Sequence, residues 1–486
     1  MKSCEEVIRT AGESKEKLIK SLGVLELVML GIGAIVGAGI FVITGTAAAG
    51  DISVLGQVIR YPAGPAIMLS FAITAIGCCF CAMCYAELSS MIPVSGSAYT
   101  YSYVSLGEIV AWIIGWCLLL EYTFESATVA IGWAGYLKQF LEHALHVSLP
   151  DYLLKPTLAC ILHPELYPTL PRLFGIPISI NLPAAFVVAA ISLLLIAGVK
   201  KSTRFNNIVV GMKLIIIFIV IFVGAFYVDP KNWVPFMPYG VKGVLSGASM
   251  IFLAYIGFDA ISTASEEVKN PGRDLPLGII ISLGVCTFLY IVVSGVLTGI
   301  IPYNLLNTPE PVATAFNYIG QNFLAAYIFS VGAVIALLST LLVFLYGQPR
   351  IILAMARDGF FPKSLAKVHP KYHTPYVASI ISGTVVMIIA GTCDISEVAA
   401  LCNAGTLMAF SIVCLSVIIL RYKNPDLPRK FRAPLVPLFP ILGILICTTL
   451  FFSLPRLSLI TFFGWTGAGL LYYFLYGIKH TKYDTK

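Results

Sequence analysis

Four ionisable side chains stand in otherwise apolar stretches of this chain. Lys213 interrupts Val210-Gly211-Met212-Lys213-Leu214-Ile215-Ile216. Asp259 follows Tyr255-Ile256-Gly257-Phe258. Glu121 and Glu125 are one helical turn apart in Leu120-Glu121-Tyr122-Thr123-Phe124-Glu125. An ionisable group in a membrane-like setting is expensive, and it marks a pathway, a relay or a ligand site by default. Desolvation opposes the charged form of a buried amine, so Lys213 has the means to gain and lose a proton. Its plain alternative is to snorkel to the interface, because it lies only about two helical turns, roughly 10 Å, into its run. Glu121 and Glu125 share a helix face. Two close carboxylates in low dielectric cannot both stay ionised without a partner, so they offer recognition of a cationic group, a proton relay, or simply a hydrogen bond between helices. Asp259 offers the same recognition, or stabilises an irregular backbone.

The second source of chemistry is bare main chain. Gly31, Gly33, Gly37 and Gly39 fall within nine residues of one apolar run, Gly31-Ile32-Gly33-Ala34-Ile35-Val36-Gly37-Ala38-Gly39-Ile40-Phe41. Each costs a helix about 1 kcal/mol against Ala. Such a run either packs helices closely, as Gly33 and Gly37 would allow, or unwinds. Unpaired backbone at this depth survives only where it lines a cavity. Phe252-Leu253-Ala254-Tyr255-Ile256-Gly257-Phe258-Asp259-Ala260 is a second expected interruption. Freed amides at the start of a half-helix suit a carboxylate, and freed carbonyls at the end of one suit an ammonium. Gly37, Ala38 and Gly39 are small enough to let a carboxylate reach the backbone. The carbonyls of Ile35, Leu253, Ala254 and Ile256 can take an amino group. Together they would hold a zwitterionic amino acid.

The elements that must position these groups are membrane spans. Only 11% of the residues are charged, against about 25% in a soluble domain. Runs long enough to cross a hydrocarbon core need about 18 or more residues. Twelve are expected, near 24–49, 63–89, 108–138, 181–199, 205–228, 243–266, 276–301, 322–354, 375–392, 396–420, 438–454 and 458–478. With the N-terminus inside, 23 Lys and Arg fall in inner segments and seven in outer ones, leaving Lys213 within a span. That bias predicts cytoplasmic termini. The net charge of +7 is then mostly cytoplasmic charge facing anionic lipid. Residues 1–23 form a cytoplasmic tail, 139–180 an external loop rich in proline, and 479–486 a second tail. Spans one to five (24–228) and six to ten (243–420) place the two interruptions in corresponding positions. Paired interruptions point to the midplane site of a transporter built from inverted repeats. Spans eleven and twelve (438–478) lie outside that pairing.

Three sets of residues carry a resemblance. They are Gly37-Ala38-Gly39-Ile40-Phe41; Tyr85-Ala86-Glu87-Leu88 running into Pro93-Val94-Ser95-Gly96-Ser97-Ala98-Tyr99; and Gly257-Phe258-Asp259 running into Glu266-Glu267-Val268-Lys269-Asn270-Pro271. With them the chain resembles the amino acid–polyamine–organocation superfamily over about residues 20–478, and within it the bacterial, twelve-span form of the cationic amino acid transporters. The resemblance implies an all-α fold with a five-plus-five inverted-repeat core, spans one and six broken, and two accessory spans. It implies amino acid import by alternating access, often coupled to protons, in a bacterial inner membrane. By that likeness the Lys213 ammonium takes the place of a coupling cation and binds the Gly33 carbonyl, tying span five to span one when protonated. The likeness also supports Glu121 as a site residue; Glu125 is outside the pattern.

One departure bears on the substrate. Arginine carriers of this branch have small residues in span eight where this chain has Val343-Phe344. A bulky Phe344 would shorten the side-chain pocket and favour a small neutral amino acid, while the buried acids leave a cationic one open. Glu87, Glu266 and Glu267 are expected in inner ion pairs with loop Arg or Lys. A metal site at Cys78, Cys79, Cys81 and Cys84 is disfavoured, because no His accompanies them. No cofactor, metal or nucleic-acid partner is expected; the partners are an amino acid, protons and membrane lipid, and an accessory membrane subunit is left open. A channel would need a continuous polar face, and none is visible. An enzyme would need a motif such as His-Glu-x-x-His or Gly-x-Ser-x-Gly, and neither occurs. Sodium coupling, exchange, and a non-transporting sensor remain alternatives.

Overall fold

The computed structural model describes residues 18–481 apart from 19, 38, 53–57, 145, 156, 158–170, 174–175, 178, 309–310, 322, 325–329, 394 and 455. Helix dominates because the chain's apolar runs can satisfy their backbone in lipid only by internal hydrogen bonds. Seven described helices are long and apolar enough to cross a membrane, and they lie in spans two, three, five, seven, eight, ten and twelve. Val24–Ile35, Leu182–Ile196, Tyr376–Thr392 and Leu438–Phe452 are shorter apolar helices in spans one, four, nine and eleven. Span six is split into pieces. The helix of span three is a single rod, Glu108–Ala144, and extends past the expected limit. Span four stops sooner than expected, at Ile196, before Gly198 at φ 126°. Two short strand pairings, Asp51–Ile52 with Val58–Arg60 and Arg172–Leu173 with Ile176–Pro177, occur in loops.

The packing has a twofold pattern. Spans two and seven, three and eight, and four and nine lie against each other. Exchanging every span for the one five places along turns the contact of span one with seven into that of six with two. It likewise turns three with ten into eight with five, three with nine into eight with four, and two with ten into seven with five, and all of these contacts are present. The short helix Ala98–Ser105 after span two is answered by Pro311–Tyr318 after span seven. Five is odd, so the second set of five enters the membrane from the opposite side. The fold is therefore an all-α, twelve-span membrane protein with a five-plus-five inverted-repeat core.

Spans eleven and twelve dock on its outside. Trp112 and Trp116 of span three donate from Nε1 to the Gly469 and Trp465 carbonyls of span twelve at 2.8 and 2.9 Å. The Cys81 thiol of span two meets Cys447 of span eleven at 3.7 Å and Cys414 of span ten at 3.8 Å. These cysteines act as small apolar side chains at a helix junction.

Candidate functional site

The breaks in spans one and six follow from their glycines. Span one is helical over Val24–Ile35, and Val36 then leaves the helix at φ −79°, ψ 90°. Winding resumes in a wide turn, Gly39–Ile43, and continues as Thr44–Ala49. In span six the helix Gly240–Ile251 tightens over Phe252–Tyr255, turns through Gly257 at φ 118°, and restarts at Ala260–Thr263. A side chain at Gly257 would be strained, and its Cβ would lie 2.6 Å from the Cβ of Ala34. The two breaks therefore interlock. Tyr290 of span seven joins them, with its hydroxyl 2.6 Å from the Ile35 carbonyl and 2.9 Å from the Ala254 carbonyl. One hydroxyl proton serves two acceptors, so capacity for a further donor remains at this point.

Lys213 caps the other side of the span-one break. It is completely buried. Its Nζ donates to Gly33 O at 3.0 Å, Val36 O at 2.5 Å and Ser339 Oγ at 2.6 Å. Thr340 Oγ1 adds a bond to Gly33 O at 2.9 Å. The three donors of an ammonium are thus matched to three oxygens, two of them freed by the break. A snorkelling lysine would not be held in this way.

The carboxylates form a separate group beside span six. Asp259 precedes the restart of that span, and its Oδ2 accepts from Tyr122 at 3.1 Å. Phe344 packs edge-on against the Tyr122 ring at 5.4 Å. Glu121 is wholly buried against span ten, where a Cβ on Gly405 would lie 3.3 Å from its own Cβ. Neither Glu121 oxygen, nor Asp259 Oδ1, finds a hydrogen-bond partner among the described residues. The neighbouring Thr406 hydroxyl donates to Cys402 O at 3.3 Å. Glu125 Oε2 accepts from the Cys402 thiol at 3.1 Å.

Residues 22–477 match the family model described as amino acid permease. The chain belongs to the amino acid permease family. It is 45% identical over 483 residues to the branched-chain amino acid permease BcaP of Bacillus subtilis, covering 99% of this chain and 98% of the relative. It is 44% identical over 477 residues to the methylthioribose transporter of the same organism, covering 97% and 96%. The vacuolar cationic amino acid transporter 4 of Arabidopsis thaliana is 35% identical over 431 residues, 87% of this chain and 67% of the relative.

In this permease the structure brings Gly33, Ile35, Gly37, Gly39, Ala254, Ile256 and Asp259 together around the paired breaks, with Lys213 behind span one. Leu253 lies in the tightened turn of span six. Ala38 lies outside the described residues. Glu121 packs against Gly405 of span ten, with Asp259 of span six within electrostatic reach of its carboxyl. Phe344 reaches the site through Tyr122. Sequence reasoning passed over Tyr290, Ser339 and Thr340. What sequence shows of them is slight: one tyrosine within an apolar span, and two adjacent hydroxyls in mid-span eight.

At the end of the permease that carries residues 20–23 and 265–270, the chain is cross-tied. Ser21 and Leu22 donate backbone N–H to Glu267 O, and Lys269 N to Leu22 O. The buried Glu267 carboxylate is held by Arg350 Nε at 2.8 Å and Nη2 at 2.5 Å, and by the Tyr346 hydroxyl. Glu266 pairs with Arg357 at 2.9 Å, and Glu87 with Arg421 at 2.7 Å and Arg429 at 3.2 Å. Sequence placed the partners of these acids in loops, and Arg429 lies in the loop after span ten. Arg350 and Arg357 belong instead to the helix Ser330–Arg357, and Arg421 to Ile395–Lys423, so these three tie whole spans.

Proposed function

We propose that this permease imports a neutral L-amino acid by alternating access, with a proton on Lys213 as the coupling ion. The observation that carries the reading is the junction at Tyr290. Two carbonyls freed by the two breaks face one hydroxyl, and a substrate ammonium would bring the donors they lack. Gly37 and Gly39 would present amides to the carboxylate, and Ile35, Leu253, Ala254 and Ile256 the carbonyls to the amine. Phe344, seated against Tyr122, would close the side-chain end and favour an apolar group. The relative named for branched-chain amino acids supports that preference.

Lys213 would serve as the switch between spans five and one. Protonated, it ties them through Gly33 and Val36; deprotonated, it lets them part. Its ammonium fills oxygens that a sodium ion would otherwise take, which argues against sodium coupling. Asp259 and Glu121 would set the charge of the side-chain pocket. The excess of Lys and Arg at the cross-tied end supports a cytoplasmic position for that face and for both termini in the plasma membrane.

A second reading has its own support. The unmatched oxygens of Glu121 and Asp259 could accept the hydroxyls of a thiosugar, and one relative is named for methylthioribose. Uptake into proteoliposomes separates the two. A panel of radiolabelled neutral and cationic amino acids together with methylthioribose is compared with and without a proton gradient. Gradient-driven uptake of a neutral amino acid is expected. Uptake of methylthioribose alone, or binding without uptake, would overturn the proposal.

A further inference from the structure

Where spans one and five begin at the basic face, a cavity of about 520 Å³ opens between them. Ser21 and Glu26 line it from span one, and Thr203, Arg204, Asn207 and Ile208 from span five. Its size is that of a ligand site, about 300–1,000 Å³. Its walls are charged. Two other cavities, one among spans three, eight, nine and twelve and one between spans two and seven, have no charged residue in theirs. The substrate scheme above makes no use of this place.

The charges on its two walls are opposite and do not meet. Arg204 and Glu26 share the cavity, yet form no ion pair with each other or with any other described residue. Glu26 Oε2 accepts from Gly23 N at 2.9 Å, and Oε1 has no partner among the described residues. The hydroxyl of Thr203 is likewise unused among them. Asn207 Oδ1 and Ser21 Oγ are buried in the same walls without a hydrogen-bond partner there, at a cost of about 1–3 kcal/mol for each such atom. A cation and an anion held apart on two spans, with spare donors beside one and spare acceptors beside the other, match a ligand that carries both charges itself.

We infer that this cavity binds the headgroup of a glycerophospholipid with a primary amine. Arg204 and Thr203 take the phosphate, for which the guanidinium fork is suited. Glu26 takes the ammonium, and Ser21 and Asn207, once turned toward it, supply acceptors for its remaining N–H groups. A choline headgroup has no N–H to give them, and a glycerol headgroup leaves Glu26 without a counter-charge. A free zwitterion could use the same polar groups; the apolar flank selects the lipid. Ile208 belongs to the cavity wall, and Met212 and Ile215 follow it along span five at helical spacing. All three are exposed, on a helix, Ser202–Ala225, that is long and apolar enough to cross the membrane. The stripe therefore leads from the charged walls toward the hydrocarbon, where the acyl chains lie. The site stands whatever substrate the permease carries.

Native mass spectrometry of the delipidated full-length protein tests the site. Phosphatidylethanolamine, phosphatidylcholine and phosphatidylglycerol with the same chains are added at equal concentration. Phosphatidylethanolamine is expected to be retained about tenfold better than either of the others, as one hydrogen bond to a charged group is worth. Glu26→Gln keeps the cap on Gly23 and removes the charge, so it should bring phosphatidylethanolamine to within about twofold of phosphatidylcholine, the charge-assisted part of that bond being lost. Arg204→Gln should weaken all three lipids alike. Should either variant fail to fold, Thr203→Val replaces it and is expected to weaken all three. Glycerophosphoethanolamine, which has the headgroup and no chains, should not displace the lipid at equal concentration; displacement would overturn the lipid assignment in favour of a free zwitterion. Equal retention of the three lipids by the unmodified protein would overturn the site, and so would a preference for phosphatidylethanolamine that survives these substitutions.

Discussion

A Cβ on Gly39 would lie 2.3 Å from the Cβ of Ala254, so the broken middles of spans one and six touch almost main chain to main chain. Neither atom belongs to a flexible side chain, and a methyl group there must push the two breaks apart. Overpacking of this sort costs about 1–3 kcal/mol. Gly39→Ala is expected to fold with a lowered Tm and to lose most of its uptake. Gly39→Ala combined with Ala254→Gly returns the space and should recover transport. Full uptake by the single variant would show that substrate binding does not need the breaks in contact.

Sequence was informative where chemistry conflicts with its surroundings. Four glycines in nine residues and an aspartate in an apolar run are local contradictions of a lipid-embedded helix, and both breaks fall there. Lys213 stood out for the same reason. Tyr290, Ser339 and Thr340 did not, because a tyrosine or a hydroxyl within a span conflicts with nothing; only the position of its neighbours gives it a task. The direction in which Glu121 points was also out of reach. Helical periodicity puts Glu121 and Glu125 on one face but cannot say that Gly405 of span ten and Asp259 of span six lie near it. The partners of Glu266 and Glu267 were expected in a loop because a positive charge ordinarily marks the end of a span, whereas the helix Ser330–Arg357 carries Arg350 within it and Arg357 as its last residue.

Tyr290 gives a test of the carbonyl pair. Tyr290→Phe removes the one hydroxyl that serves Ile35 O and Ala254 O. Unmatched buried carbonyls cost about 1–3 kcal/mol, so the substrate-free protein is expected to lose stability. A bound ammonium would then satisfy both carbonyls, and binding to the folded state raises stability by mass action. The increase in Tm on adding substrate should therefore be larger in Tyr290→Phe than in the unmodified protein. An unchanged increase would place the ammonium elsewhere.

Lys213 makes a prediction about pH whose sign follows from the geometry. The protonated amine ties span five to the Gly33 and Val36 carbonyls. Acid on the basic-face side keeps it protonated, so uptake should fall as that side is acidified and recover as its pH rises. Lys213→Ala removes the tie and should abolish this dependence. Lys213→Arg carries a charge that cannot be discharged at any physiological pH, so it should hold the spans together and give no uptake. Uptake by Lys213→Arg comparable to the unmodified protein would rule out deprotonation as the release step.

The Glu267–Arg350 pair offers a stability test at the cross-tied end. Both side chains are almost completely buried and meet at 2.5 Å. Removing one partner of a buried pair leaves an uncompensated charge, at a cost of about 3–5 kcal/mol. Arg350→Met is expected to lower Tm sharply, and Glu267→Gln with Arg350→Met to recover most of the loss. Recovery would show that the single variant suffers from the stranded carboxylate. A double variant as unstable as the single one would mean that the pair itself holds the spans together.

Phe344 bears on which side chain the site accepts. Its ring packs edge-on against Tyr122 at 5.4 Å, and the Tyr122 hydroxyl donates to Asp259 at 3.1 Å. The phenyl group therefore stands next to the ring that screens the nearest carboxylate. Phe344→Ala opens volume beside Tyr122, which can then turn and expose Asp259 to a cationic side chain. A pocket change of this size commands about 1–3 kcal/mol, or roughly 10- to 100-fold in selectivity. Competition uptake should show arginine and lysine gaining against leucine by such a factor in Phe344→Ala, and Asp259→Asn added to it should cancel the gain. A leucine-to-arginine ratio of kcat/KM unmoved by Phe344→Ala would remove Phe344 from the specificity pocket.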